Sequence, residues 1–209
     1  MRAGSQMSLM SSQDPSEPRR SSPDGRQKPL VDFGRYFEHR ASRFAAFYRS
    51  EPFSRAIGRG ALFDRLRNTV DLLVEMGARR VLDVGCGSGP LFAPLVERGV
   101  TVTGIDPAPA MVALAREAAE HHSGQVKVEQ RRWEEIDEVD AFDAAVALGV
   151  FDYVGEPADL LALMARAAPR VIGSFPSPGL RLILRKLRYG AHGVSVSGYT
   201  PDRLRELAE

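Results

Sequence analysis

Three glycines at alternate positions, Gly85, Gly87 and Gly89, close the stretch V-L-D-V-G-C-G-S-G and constrain this chain more than any other feature. Residues 81–84 are a short apolar run of the kind that forms a strand buried on both faces. A strand that runs straight into glycines can bring bare backbone against a ligand, because no Cβ stands between. Pro90 follows at a first helical position, where no backbone donor is needed. A second apolar run, T-V-T-G-I-D, ends in Asp106, 17 residues past Gly89. Strand, glycine turn, helix, strand and acid make half of a nucleotide-binding site.

The details say which nucleotide. A dinucleotide fingerprint reads G-x-G-x-x-G, whereas here the spacing is G-x-G-x-G and Pro90 stands where the third glycine would be. Asp83 sits inside the first strand, two residues before Gly85. A carboxylate there repels a pyrophosphate and can receive a ligand ammonium group. Asp106, at the end of the second strand, can accept both hydroxyls of a ribose; the plainer alternative is a cap for the following helix. The charge pattern favours an amino-acid-bearing nucleoside over NAD.

With those residues in view, V-L-D-V-G-C-G-S-G and G-I-D-P-A-P-A-M-V resemble motif I and the acidic loop of class I S-adenosylmethionine-dependent methyltransferases, over about residues 44–175. The resemblance implies S-adenosyl-L-methionine as cofactor and a doubly wound parallel α/β sheet, Rossmann-like. It implies that Asp83 and the backbone of Gly85, Cys86, Gly87 and Gly89 hold the methionine moiety. Asp106 then holds the ribose, with Pro107 and Met111 near the adenine. One position departs from the family. Where members usually carry an Asp for the adenine amino group, V-K-V-E-Q-R-R-W-E-E-I places Arg132, followed by Trp133. Arginine has no acceptor, so the adenine rests on backbone groups and the Trp133 face, or on Glu134 after a one-residue shift.

The fourth strand ends in A-L-G-V-F-D-Y-V. In the family this stretch faces cofactor and substrate, which puts Leu148 and Gly149 beside the cofactor and Phe151, Asp152 and Tyr153 at the active site. Asp152 reads either as a general base or as a cap of the helix starting near Pro157, and Tyr153 either as a substrate wall or as packing. His192 and Tyr199, in a Gly-rich loop, are further candidates for a base or a substrate contact. S-F-P-S-P and L-R-K-L-R-Y-G resemble a bacterial small-molecule methyltransferase subgroup, with slight similarity to magnesium-porphyrin methylating enzymes that names no substrate. Methyl transfer from a sulfonium is favourable in itself, so catalysis is largely alignment in a dry pocket. The expected acceptor is a small molecule. The alternatives are a non-catalytic cofactor-binding partner or regulatory subunit, and an NAD-type oxidoreductase.

The remaining chain supplies the frame. Residues 1–29 are Ser-, Pro-, Gln- and Arg-rich and read as a disordered tail. Residues 30–78 read as a helical lid segment, opening with an aromatic stretch that includes Tyr36, Phe37, Phe44, Phe47 and Tyr48; Tyr48 is the candidate to touch the cofactor. A long helix over about 54–76 follows. Residues 79–209 read as the cofactor-binding domain. Strands are expected at 81–84, 100–105, 126–129, 142–148 and 170–175, and helices at 90–98, 107–120, 156–167, 180–189 and from Thr200. This gives five parallel strands without the family's C-terminal antiparallel pair, hence a truncated product or an edge covered by a partner or a second copy.

Charge and composition exclude other classes. The net charge of +1, with no basic stripe interleaved with aromatics, argues against a nucleic-acid partner. Acids crowd the middle: residues 81–165 hold 15 of the 27 acids and only 5 of the 28 bases. The single Cys86 rules out a disulfide framework, and the four histidines show no metal-ligand spacing. No apolar run reaches the length of a membrane span, and no signal-peptide core is present, so the expected location is cytoplasmic. Arg181, Arg185 and Arg188 read as a solvated helix face, with an anionic substrate or a membrane surface as the other reading.

Overall fold

In the computed structural model, the described residues are 41–208 except 57, 59, 123, 180, 181, 185 and 188–195. The tail, Tyr36, Phe37, His192 and the three arginines of the 180–189 stretch lie outside them.

A five-stranded sheet forms the centre: β1 Arg80–Val84, β2 Thr101–Asp106, β3 Val126–Gln130, β4 Ala144–Leu148 and β5 Val171–Ser174. Its order is β3-β2-β1-β4-β5 and every pairing is parallel, as the alternation of strands and helices predicts. Strand order reverses between β1 and β4, which pair through Val81 with Ala144 and Asp83 with Val146. A crevice opens beyond the carboxyl ends at such a reversal, and that is where α/β sheets bind ligands. In β1 and β4 nearly every residue is buried, so both strands read as continuous apolar runs.

Two cores flank the sheet. Val70 and Leu73 of α3 (Ala61–Glu75) pack with Val81, Phe92, Leu95 and Val146 on one face. Leu160 and Met164 of α6 (Pro157–Ala167) pack with Leu82, Ala145 and Phe151 on the other. The remaining helices are α1 (Ala41–Arg49), α2 (Glu51–Ala56), α4 (Phe92–Val96), α5 (Pro109–Ala119) and α7 (Pro201–Ala208).

Several boundaries differ from the sequence reading, each for a local reason. The single helix expected over 54–76 is two, α2 and α3, because Gly58 takes a φ of 73° between them. Pro52 does not break the chain; it occupies the first turn of α2, where a missing N–H costs nothing. The helix after the glycine turn contracts to the five residues of α4, with Pro90 before it and Pro94 inside it. The fourth strand starts at Ala144 instead of Phe142. At the far end, Thr200 does cap α7, its hydroxyl accepting the Arg203 N–H at 3.3 Å.

Candidate functional site

The glycine turn is held from below by the second strand. The Ile105 carbonyl accepts both the Gly85 N–H (2.8 Å) and the Cys86 N–H (3.0 Å), which wraps the turn over the end of β2. Gly85 has a φ of 69°, and a Cβ on it would collide with the Val150 side chain. Gly87 has a φ of 56°, and a Cβ there would meet nothing within 4 Å. The first glycine is therefore needed by the fold, while the second borders open space.

Asp106 is the second support. One carboxylate oxygen accepts the Gly87 N–H at 3.0 Å and the other accepts the Ala108 N–H at 2.9 Å. It is not the helix cap: Ala108 holds that position for α5, and Asp106 stands two residues earlier. Burial pushes its pKa up, and those two hydrogen bonds pull it back. Each oxygen keeps a second lone pair, so the carboxylate can still take ligand hydroxyls.

Asp83 has no such support. Its side chain is 2% exposed, and its carboxylate has no hydrogen-bond partner among the described residues. Burial, and then the neighbouring charge of Asp106, push it from 3.8 to about 7. A buried carboxylate beside a like charge is stable as an anion only opposite a cation. Cys86 offers no chemistry of its own: its thiol is buried, and burial followed by the two acids drives its ionisation well above the ordinary range. Only its backbone faces the turn's role.

On the other side of the reversal stands Arg65, which sequence reasoning missed. Its Nη1 donates to the Ser174 hydroxyl and its Nη2 to the Tyr48 hydroxyl, each at a long 3.3 Å. Its Nε is buried with no partner, and no carboxylate pairs with it among the described residues. Nη1 lies 3.4 Å from where a Cβ on Gly149 would stand, so the guanidinium covers the carboxyl end of β4. The signal was available: Arg65 lies four residues before buried Thr69 and three after Leu62, a charged residue on the apolar stripe of α3. Ser174 was missed too. Its hydroxyl accepts the Gly149 N–H at 2.8 Å and joins the ends of β4 and β5.

The structure brings Tyr48, Asp83, Gly85, Gly87, Asp106, Leu148 and Gly149 to this one crevice. Pro107 is exposed at its rim, while Met111 is buried against Ala41 of α1 and Ala108. Trp133 is half-buried against the core that includes Leu82 and Leu160, at the start of a short 3-10 turn, Trp133–Glu135. Arg132 is exposed and pairs with Glu134 at 3.1 Å. Arg131 instead shapes the loop, pairing with Glu138 and Asp137 at 2.6 Å each.

Past β4, Asp152 is 7% exposed and does not cap α6, whose cap residue is Glu156. Tyr199 is corrected from candidate base to structural residue. Its hydroxyl donates to the Phe151 carbonyl at 3.1 Å, its ring meets Phe175 edge-on at 5.1 Å, and Phe175 stacks on Phe151 at 4.2 Å. A cavity of about 310 Å³ between α3 and α4 touches this region only through Tyr48 and Pro90.

Comparison with known proteins agrees with this geometry. A family model described as "Methyltransferase domain" matches residues 81–170. The ubiquinone biosynthesis O-methyltransferase of Bradyrhizobium diazoefficiens is 32% identical over 112 residues, 54% of this chain and 44% of that protein. The protein of the same name from Alkalilimnicola ehrlichii is 36% identical over 104 residues, 49% and 42% of the two chains. The matched stretch thus spans less than half the length of these relatives. Among solved structures, magnesium protoporphyrin IX methyltransferase from Synechocystis, with bound S-adenosylhomocysteine, superimposes with a TM-score of 0.68, 23% identity and coverage of 84% and 85%. At that identity the likeness speaks for the fold. Motif, sheet order and family match agree on a methyltransferase domain over residues 81–170.

Proposed function

We propose that the chain binds S-adenosyl-L-methionine and transfers its methyl group to a small-molecule acceptor. The observation that carries this reading is a pair of buried groups of opposite charge near the strand reversal: the Asp83 carboxylate, with no hydrogen bond among the described residues, and the Arg65 guanidinium, whose buried Nε lacks a partner among them. They are opposite in sign, stand beside a glycine turn and suit the ammonium and carboxylate of one amino-acid moiety. Asp106 then meets the ribose, the open flank of Gly87 admits the ligand, and the Trp133 face lies against the base. When bound, the cofactor supplies an electrophilic methyl on a sulfonium.

What remains for the protein is orientation and the exclusion of water. Leu148, Gly149 and Tyr153 would line the acceptor side, with Tyr48 above them. The names of the curated relatives make a hydroxyl the first acceptor class to try. A hydroxyl must lose its proton during attack, and Asp152 is the candidate base among the described residues. His192 stays a candidate by its place in the sequence.

Calorimetric titration with S-adenosylhomocysteine, S-adenosylmethionine and NAD tests the donor. The expected result is binding of both adenosyl ligands and none of NAD; the reverse would overturn the assignment. A panel of radiolabelled methyl transfers to phenols, catechols, amines and thiols then tests the chemistry. Binding without transfer to any of them would favour a non-catalytic cofactor-binding subunit.

A further inference from the structure

The residues between α6 and α7 carry a charge bias that the cofactor site does not use. From Leu160 to Pro201 the chain has no Asp or Glu, while Arg166, Arg170, Arg181, Arg185, Lys186 and Arg188 fall within it. Four of those six cations crowd into residues 181–188, interleaved with Leu182, Ile183, Leu184 and Leu187.

The structure divides those apolar residues sharply. Residues 182–184 and 186–187 are helical, started by the Leu182 and Ile183 N–H groups donating to the Gly179 carbonyl at 3.0 and 3.1 Å. Leu182 is buried at 8% exposure, against the bare Cα of Gly198. It anchors the segment. Ile183, Leu184 and Leu187 are 55%, 58% and 70% exposed, and Lys186 is exposed among them. The anchor consumes one apolar side chain and leaves three facing solvent.

We infer that residues 182–184, 186 and 187 form a docking surface for an anionic lipid membrane, with Ile183, Leu184 and Leu187 entering the interface and Lys186 meeting lipid phosphates. A protein groove could cover three aliphatic side chains, but it would not ask for six cations with no acid in 42 residues, 160–201. An acid-free basic segment with three solvent-exposed apolar side chains matches the chemistry of a bilayer interface, where apolar insertion and attraction to anionic headgroups act together. Among the described residues no helix is long and apolar enough to cross a membrane, so attachment through this segment is peripheral. The segment follows β5, whose carboxyl end borders the crevice, so docking here would hold the acceptor side of the protein near the lipid surface.

Cosedimentation of the full chain with phosphatidylglycerol vesicles and with phosphatidylcholine vesicles tests this. The expected result is binding to phosphatidylglycerol at least about a hundredfold stronger than to phosphatidylcholine, falling steeply with salt. The double variant Ile183→Glu, Leu187→Glu should lose about tenfold or more of that binding, with circular dichroism and S-adenosylhomocysteine affinity unchanged. Lys186→Glu alone, with no apolar change, should weaken it by several-fold and lower the salt slope. Equal or absent binding to the two vesicle types overturns the proposal. So does a concentration-dependent dimer, seen by sedimentation velocity, that the double variant abolishes, since the surface would then belong to a second copy.

Discussion

The Asp106 carboxylate receives the Gly87 N–H at 3.0 Å, so the acid at the end of one strand holds the middle glycine of the turn that follows another. One side chain therefore both shapes the turn and offers its remaining lone pairs to a ligand. Asp106→Ala should cost about 1–3 kcal/mol of stability and weaken S-adenosylhomocysteine by ten- to a hundredfold. Asp106→Asn should show a smaller loss of stability than of affinity, because the amide oxygen can keep one of the two backbone bonds. Denaturant titration beside calorimetry separates the two. Full affinity in Asp106→Ala would reduce the residue to a turn support.

Arg65 is expected to read only the amino-acid end of the ligand. Arg65→Ala should weaken S-adenosylhomocysteine by about 1.5–3 kcal/mol and leave 5′-methylthioadenosine, which lacks the ammonium and carboxylate, unchanged. Competition binding with the two nucleosides checks this. An equal loss for both would mean that the arginine supports the fold of the crevice and does not meet the carboxylate.

Asp83 makes binding depend on pH. Its folded value of about 7 lies above the ordinary 3.8, so the folded chain holds the proton more tightly than the unfolded one. The stability this contributes is complete below pH 3.8 and is lost as pH rises through about 7. Asp83→Asn should therefore raise the stability of the unliganded protein at about pH 8, by on the order of 2–4 kcal/mol. A ligand ammonium needs the ionised form, so wild-type affinity should rise with pH across about 6–8 and binding should release a proton. Calorimetry in two buffers of different ionisation enthalpy measures that proton, and the variant should show none.

Gly85 combines two demands that can be separated. A φ of 69° costs an L-residue about 1 kcal/mol, and the Val150 side chain occupies the Cβ position. Gly85→Ala should lose about 2–4 kcal/mol in all. Adding Val150→Ala should recover the steric share and not the conformational one. Chemical denaturation of the four proteins of the cycle checks it, and strict additivity would place the clash elsewhere.

Tyr199→Phe removes the hydroxyl that donates to the Phe151 carbonyl and keeps the ring packed on Phe175. The expected loss is about 1 kcal/mol of stability with the pH profile of turnover unmoved. A lost alkaline limb of that profile would restore the tyrosine as a proton carrier.

Backbone chemistry was the readable part of this chain. Strand, alternate glycines and Asp106 announce themselves because few arrangements satisfy a turn with no Cβ and an acid at a strand end, and the parallel sheet follows from the alternation of strands and helices. Arg65 and Ser174 were silent because their meaning lies in who stands opposite. Nothing near either residue in sequence reveals that β4 and β5 end side by side, or that α3 crosses above them. Tyr199 misled for the same reason: a tyrosine in a loop looks free until the Phe151 carbonyl is seen to hold it. The break between α2 and α3 was legible in Gly58 and Gly60, and the apolar stripe on either side outvoted it.

The strand order also has a consequence for how the chain comes to be folded. β1 pairs with β2 and β2 with β3, each across a short crossover, but the strands β1 and β4 that pair Val81 with Ala144 are 63 positions apart. Local closures form sooner than distant ones. During synthesis the half-sheet with the glycine turn and Asp106 can assemble before the acceptor half has left the ribosome. The turn held by Asp106 thus closes early, while the hydrogen bond from Arg65 to Ser174 waits for β5, 109 positions further along the chain.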